Sequence, residues 1–225
     1  MEHQMNEHKV SIIVPTWNRA ELLTKRCLPS IQKQTHKNLE IVVVGDCCTD
    51  NTDKLVCAMR DKDPRIVWEN LPERGEYPEE VMARWNVAGT VPINRALDLA
   101  TAEWVAHLDD DDEYTPDHIE VLLTAALEGF DFVYGIIEAV NSQNGNRRRI
   151  GAPSPRRAGL SRMSVLHKRT DLRFDINCWQ WDEPGDWNFY KRLLIKDKMR
   201  WKFLPVLVGY HYDEGSRRRE VGYPI

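Results

Sequence analysis

Apolar and polar positions come in blocks along the chain, and the blocks change period. Val10-Ser11-Ile12-Ile13-Val14 is an apolar run of strand length. Ala20 to Gln32 then carries apolar residues at helical spacing, and Glu40 to Val44 returns to a strand-like run. That succession is the β-α-β grammar of a parallel sheet. Ile66-Val67-Trp68 and Trp104 to Leu108 continue the strands, with a helix predicted from about Val91 to Ala100 opened by Pro92. Pro29 falls inside the first helical stretch, where its ring and missing N–H predict a bend.

The clearest helical pattern follows: Ile119, Leu122, Leu123, Ala126 and Leu127 share one face, with Thr115 and Pro116 predicted to open the helix and Gly129 to close it. Phe132 to Ile137 and Trp201 to Tyr210 read as strands, and Asp186 to Lys196 as a helix through Phe189, Tyr190, Leu193 and Leu194. Between them, Asn141 to Leu160 (NSQNGNRRRIGAPSPRRAGL) is expected to form a turn or mobile loop. No internal repeat is visible.

A chain of 225 residues with 42% hydrophobic content has room for one large domain or two small ones. Its apolar runs fall far short of the ~20 residues that cross a bilayer. Met1 to Lys9 read as a loose polar lead without an apolar signal core. The five cysteines include no C-x-x-C pair and no histidine partners at zinc spacing, so reduced thiols and a cytoplasmic location are expected. The net charge of −4 divides unevenly: residues 1–141 hold 13 Lys/Arg against 26 Asp/Glu, and residues 142–225 hold 18 against 9. An acidic half suits a divalent cation; a basic half suits an anionic substrate, an acidic partner or a membrane surface. A patchy solvated surface is the plain alternative, and nucleic acid is not expected as a partner.

Chemistry concentrates in Trp104-Val105-Ala106-His107-Leu108-Asp109-Asp110-Asp111-Asp112-Glu113. Carboxylates crowd the carboxyl end of an apolar strand, the edge at which open α/β sheets bind ligands. Adjacent carboxylates repel one another unless a cation or hydrogen-bond donors stand among them, and a hard divalent ion, Mn2+ or Mg2+, is the natural partner. The spacing lacks the alternation and central glycine of an EF-hand. A solvated acidic turn is the competing interpretation, and the position between strand and helix argues against it.

Here the chain resembles the family 2 glycosyltransferases of GT-A fold, over roughly Lys9 to Arg219. Leu108 to Pro116 is similar to the family's L-D-x-D-D signature. Ile13-Val14-Pro15-Thr16-Trp17-Asn18-Arg19 is similar to V-P-x-Y-N-R, and Val44-Gly45-Asp46-Cys47-Cys48-Thr49-Asp50 to V-D-D-G-S-x-D. Trp181-Asp182-Glu183-Pro184-Gly185-Asp186-Trp187 resembles the E-D-W segment, and Gly209 to Arg219 the strand end and basic tail. The resemblance implies an α/β GT-A fold, a mixed and mostly parallel sheet flanked by helices. It implies one domain over residues 10–219, with a nucleotide-binding half (10–113), an acceptor and catalytic half (114–219), and a tail over 220–225.

The same resemblance implies roles. Pro15, Thr16, Trp17 and Arg19 would line the donor site, with Trp17 stacking on the base and Asp46 accepting from a uracil or thymine ring. Asn94 would line the donor site or stand on the helix surface. Asp111 would hold the metal, Asp109 or Asp110 the ribose, and Asp112 would support them from behind. Asp186 would be the catalytic base, with an N-cap as its structural alternative. His211 would be a further metal ligand, and one of Arg217 to Arg219 would neutralise leaving phosphate oxygens. Trp179, Trp181 and Trp187 suit either a sugar-stacking floor or core packing. Gly45 stands where Asp is frequent, Cys47 where Gly is usual, and Gly185 where Glu is usual. The implied reaction is inverting transfer from a UDP- or dTDP-sugar to a saccharide, lipid-linked or other hydroxyl acceptor. The rivals are a nucleotidyltransferase of related fold, which usually carries a Gly-rich phosphate loop absent here, and a silent sugar- or nucleotide-binding module.

Overall fold

Strands β1 (Val10–Thr16) and β2 (Leu39–Gly45) are buried at every position. Strands without alternation need cover on both faces, which is the environment of a parallel sheet interior. In the computed structural model, which describes residues 7–213, β1 pairs in parallel with β2 and, on its other side, with β4 (Trp104–His107). β3 (Ile66–Asn70) lies outside β2. The order 3-2-1-4 reverses the winding between β1 and β4, opening a crevice at their carboxyl ends.

Beyond β4 the sheet becomes mixed. β5 (Glu113–Tyr114), β6 (Phe132–Asn141), β7 (Arg147–Ile150), β8 (Val165–Lys168) and β9 (Trp201–Asp213) complete the order 3-2-1-4-8-6-9-5, with β7 added to β6. β8 runs antiparallel to β4 and β6, so the chain enters it at the crevice edge. β6 and β9 are parallel and carry their last residues to that same edge.

Period-2 packing divides the core into two layers. Ile12, Val14, Ile41 and Val43 face one layer with Leu23, Leu28, Ile31, Ile119, Leu122 and Leu123. Ile13, Val42 and Val44 face the other with Ile93, Leu97, Phe189 and Leu193. The first helical stretch, α1, is continuous from Ala20 to Gln32 but widens at Leu23–Cys27, where the Leu28 N–H bonds to the Leu23 carbonyl five residues back. Pro29 then sits in the first turn of the segment Leu28–Gln32. The expected bend is thus a single widened turn, a device that absorbs a proline without ending the helix.

The remaining helices are α2 (Thr52–Arg60), α3 (Val81–Val87), α4 (Thr90–Leu99), α5 (His118–Leu127) and α6 (Gly185–Ile195). Two expectations change. Thr115 does not open α5: its N–H bonds to the Val208 carbonyl at 3.1 Å, prolonging the β5–β9 contact, and the helix starts three residues later. The stretch Asn141 to Leu160 is not all loop, because Arg147–Ile150 pairs with Ile137–Val140 as β7. Asn141 closes the turn between them, its N–H and carbonyl bonding Asn146 and Gly145.

Candidate active site

The crevice between β1 and β4 gathers the acidic run with side chains from both halves. Thr16, the last residue of β1, donates from Oγ1 to Asp110 Oδ2 at 2.8 Å. Arg19, just beyond it, donates to Asp111 Oδ2 at 2.8 Å. The widened turn of α1 aims Arg26 at the Asp111 carbonyl, 2.7 Å away, with its guanidinium 4.1 Å from the Tyr212 ring centre. Asp109 is held by Arg162, which projects from the turn entering β8. Asp110, Asp111 and Asp112 are buried, so the run is a built structure and not a solvated turn.

Asp112 faces away from its neighbours, toward β9. His211 Nδ1 lies 2.9 and 3.1 Å from its two oxygens, and the Tyr212 N–H donates to it at 2.9 Å. Burial pushes the Asp112 carboxyl up, and His211 opposes that shift. His211 therefore reaches the run through Asp112, with the ring orientation that a carboxylate commonly imposes on a ligating histidine. Arg217 lies outside the described residues.

Among the described residues, no three His, Cys, Asp or Glu side chains converge closely enough to cage an ion. Asp109 and Asp111 each engage a separate arginine instead. Their hard oxygen donors fit a Mg2+- or Mn2+-type ion that takes its remaining ligands from phosphates and water, the usual arrangement where one or two carboxylates serve.

A second cluster stands at the end of β2. Asp46 accepts from the Gly75 N–H at 2.9 Å and from the Tyr77 hydroxyl at 2.8 Å, with Arg74 Nε 3.9 Å away. The Arg74 guanidinium lies over Trp17, 3.4 Å from the ring centre. Trp17 is 42% exposed, and Pro15 is buried in β1. Burial and the Asp46 carboxylate together drive the Tyr77 hydroxyl far above its ordinary range, so it stays protonated and donates. Arg74, Gly75 and Tyr77 also line an open pocket with Arg84.

The departures at this loop have separate structural consequences. A Cβ at Gly45 would come within 2.5 Å of Asn70 Oδ1 and 2.7 Å of the Trp68 ring. The space left by the glycine lets Asn70 clamp Cys48, accepting from its N–H at 2.8 Å and donating to its carbonyl at 3.0 Å. Cys47 takes the left-handed conformation (φ 58) where glycine would be relaxed.

Asp186 occupies the first turn of α6, one residue after Gly185 and two after the cap position at Pro184. It is not the cap; its carboxylate accepts from the Trp187 N–H at 2.6 Å. Burial raises its pKa, and the nearby Arg162 charge lowers it in part. Gly185 lies tight against α3, where an added Cβ would meet the Asn86 carbonyl at 3.0 Å. A glutamate at that position would press on the α3 backbone. Trp187 packs on the core, whereas Trp181 is 61% exposed beside the site. Asn94 bonds the Phe174 backbone with its amide, donating at 2.9 Å and accepting at 2.8 Å, so it anchors a loop.

Arg162, Arg74, Gly75, Tyr77 and Arg26 escape sequence reasoning. They come from turns or helix faces with no periodic signal, and only the sheet order brings them to the carboxylates. The Arg74-Gly75-Glu76-Tyr77 segment could have drawn notice as an arginine, a glycine and an aromatic together in a polar stretch.

A family model described as glycosyl transferase family 2 matches residues 11–77 and 81–196. The chain is 32% identical to the putative colanic acid biosynthesis glycosyl transferase WcaA of Escherichia coli, over 94% of this chain and 75% of that one. It is 36% identical to the GalNAc(5)-diNAcBac-PP-undecaprenol beta-1,3-glucosyltransferase of Campylobacter jejuni, over 56% of this chain. That alignment spans 37% of the Campylobacter protein, little more than a third of its length. Among solved structures, S. aureus TarS 1-349 in complex with UDP matches with a TM-score of 0.69 at 22% identity, covering 95% of this chain and 63% of that one. The mannosyltransferase PcManGT from Pyrobaculum calidifontis, in complex with GDP-Man and Mn2+, matches with a TM-score of 0.63 at 20% identity, covering 88% and 55%. At such identities the likeness is one of fold, the GT-A arrangement of a mixed, mostly parallel sheet.

Proposed function

Because the chain belongs to glycosyl transferase family 2, we propose that it moves a sugar from a UDP- or dTDP-linked donor to an acceptor hydroxyl, with inversion and metal assistance. Asp46, Trp17 and the Arg74–Tyr77 segment take the base. Asp109 and Asp110 take the ribose side of the donor, and Asp111 with Arg19 faces the diphosphate. When bound, the divalent ion supplies charge that stabilises the leaving diphosphate.

Asp186 accepts the proton of the acceptor hydroxyl as its oxygen attacks the anomeric carbon. The bond from that carbon to the diphosphate breaks on the opposite side, and its electron pair leaves with the diphosphate. The observation that carries this reading is Arg162, whose side chain pairs with Asp109 and whose charge and backbone N–H both favour the ionised form of Asp186. One cation thereby joins the donor carboxylate to the base. The Campylobacter relative is named for a saccharide acceptor on undecaprenol diphosphate, and a lipid-linked saccharide is the acceptor class we favour here.

Asp186→Asn tests the base. Turnover is expected to fall by about 10²–10⁴ while the donor dissociation constant stays within about twofold, measured by steady-state transfer and donor titration. Full turnover in this variant would remove Asp186 from the mechanism.

A further inference from the structure

Strand β6 outruns its neighbour. Tyr134 pairs with Val165, the first residue of β8. From there β6 continues to Asn141, roughly 20 Å at about 3.3 Å per residue. Over that length β7 flanks it on one side and β9 on the other. The β6–β7 hairpin therefore reaches past the ends of β4 and β8, as a wall beside the mouth of the site, where Tyr212, paired with Val140, donates to Asp112.

The wall is basic. Arg147, Arg148 and Arg149 follow one another along β7, all exposed. Glu138 takes Arg147 at 2.6 Å and Arg149 at 3.8 Å, so two guanidinium groups share one carboxylate. Arg148 has no ion pair among the described residues. Ala139 pairs with both Arg148 and His211, which puts Arg148 on the face of the sheet that His211 occupies, two strands away. Arg156, in the loop that follows β7, is also exposed. Strand β9 ends at the hairpin tip, where the Asp213 carbonyl accepts from the Ser142 N–H at 3.1 Å, and the sequence beyond continues into Arg217-Arg218-Arg219.

The body behind this projection is strongly acidic, with 26 Asp/Glu against 13 Lys/Arg in residues 1–141. An anionic surface repels such a body, and the three consecutive exposed arginines of β7 favour the approach that presents the hairpin. We propose that the β6–β7 hairpin is the docking surface for an anionic lipid membrane, and that docking turns the mouth of the site toward the bilayer. This goes beyond the proposed transfer reaction and does not depend on the identity of donor or acceptor. Charge on an edge strand also discourages pairing with another chain. That role alone predicts no dependence on lipid charge.

The test is co-sedimentation of the full chain with vesicles of phosphatidylcholine containing about one-third phosphatidylglycerol, against vesicles of phosphatidylcholine alone. The chain is expected to bind the anionic vesicles only, and to be released at about 0.5 M salt as the charges are screened. Arg147→Gln/Arg148→Gln/Arg149→Gln should bind on the order of a hundredfold more weakly. Lys54→Gln/Arg60→Gln/Lys62→Gln makes the same charge change on exposed residues of the acidic half and should bind as the wild type does. Arg148→Glu alone, at a position without an ion pair, should weaken binding with an unchanged thermal melt. Equal sedimentation with neutral vesicles, no sedimentation with either, or equal losses in the two triple variants would overturn the proposal. So would equally tight, hairpin-dependent binding of a DNA duplex.

Discussion

β1 and β2 are buried at every position, whereas β7 exposes three arginines in succession and β9 exposes Trp201 and Val206. The functional groups of the two regions differ in the same way. In the parallel half, carboxylates stand directly at strand ends: Asp46 after β2, and Asp109 to Asp112 after β4. In the mixed half, the groups that reach the crevice ride on turns and helix starts: Arg162 before β8, Asp186 in the first turn of α6, His211 near the end of β9. In the reaction proposed above, the doubly covered sheet fixes the donor carboxylates, and the outer elements supply the charge and the base.

Arg162 is the most direct place to break that division, because it joins the two regions. Arg162→Ala should lower kcat by about 10²-fold, a loss typical of removing one positioned charge from an active site. It should also move the acidic limb of the kcat profile to higher pH. Asp186 must be ionised to accept a proton, so activity falls as pH drops through its pKa. Burial already raises that pKa, and the Arg162 charge now restrains it. An unmoved limb in the variant would separate Arg162 from the base.

Asp46→Ala should act on the parallel half alone. Nucleoside diphosphate affinity is expected to fall about tenfold, roughly 1.4 kcal/mol, with kcat at saturating donor little changed. Calorimetric titration with UDP reads the first effect. A loss confined to kcat would place Asp46 outside base recognition.

The last effect concerns the seam between the regions and is read in stability. His107 on β4 and His167 on β8 share a buried contact, with their Nε2 atoms 3.1 Å apart, and His118 is buried at the start of α5. Burial pushes His118 down to about 3 and His167 down to about 4, and it holds His107 well below the usual range. The unfolded chain binds protons near pH 6.5, where the folded chain does not. The neutral histidines therefore stabilise fully above that pH, and the contribution is lost as pH falls from about 6.5 toward 4. Each costs about 1.4 kcal/mol per pH unit in that window. Thermal melts between pH 7 and pH 5 check the trend, and His118→Asn should flatten it.

The parallel half was the legible part of the sequence. Its strands are continuous apolar runs, its acidic motif is contiguous, and the β-α-β order fixes the edge at which both end. What lay beyond reading was long-range. Arg162 meets Asp109 across 53 residues and His211 meets Asp112 across 99, and neither contact leaves a periodic trace. β7 was hidden because Arg147 to Arg149 carry no apolar alternation; strand pairing with β6 imposes the conformation. The contacts of Asn94 and Thr115 were hard to foresee for a related reason. Each is a residue type with local roles, at a helix surface or a helix cap, whose partner here is a backbone segment distant in sequence, at Phe174 and Val208.

The central claim is that the acidic run holds the diphosphate end of a nucleotide sugar with the help of a divalent ion. It is tested by release of nucleoside diphosphate from a panel of UDP-, dTDP- and GDP-sugars, with Mn2+ or Mg2+ and with chelator. Release from at least one donor is expected with metal, falling by on the order of 10³-fold in chelator and in Asp111→Ala. Equal release with and without metal, or undiminished release by Asp111→Ala, would contradict the account.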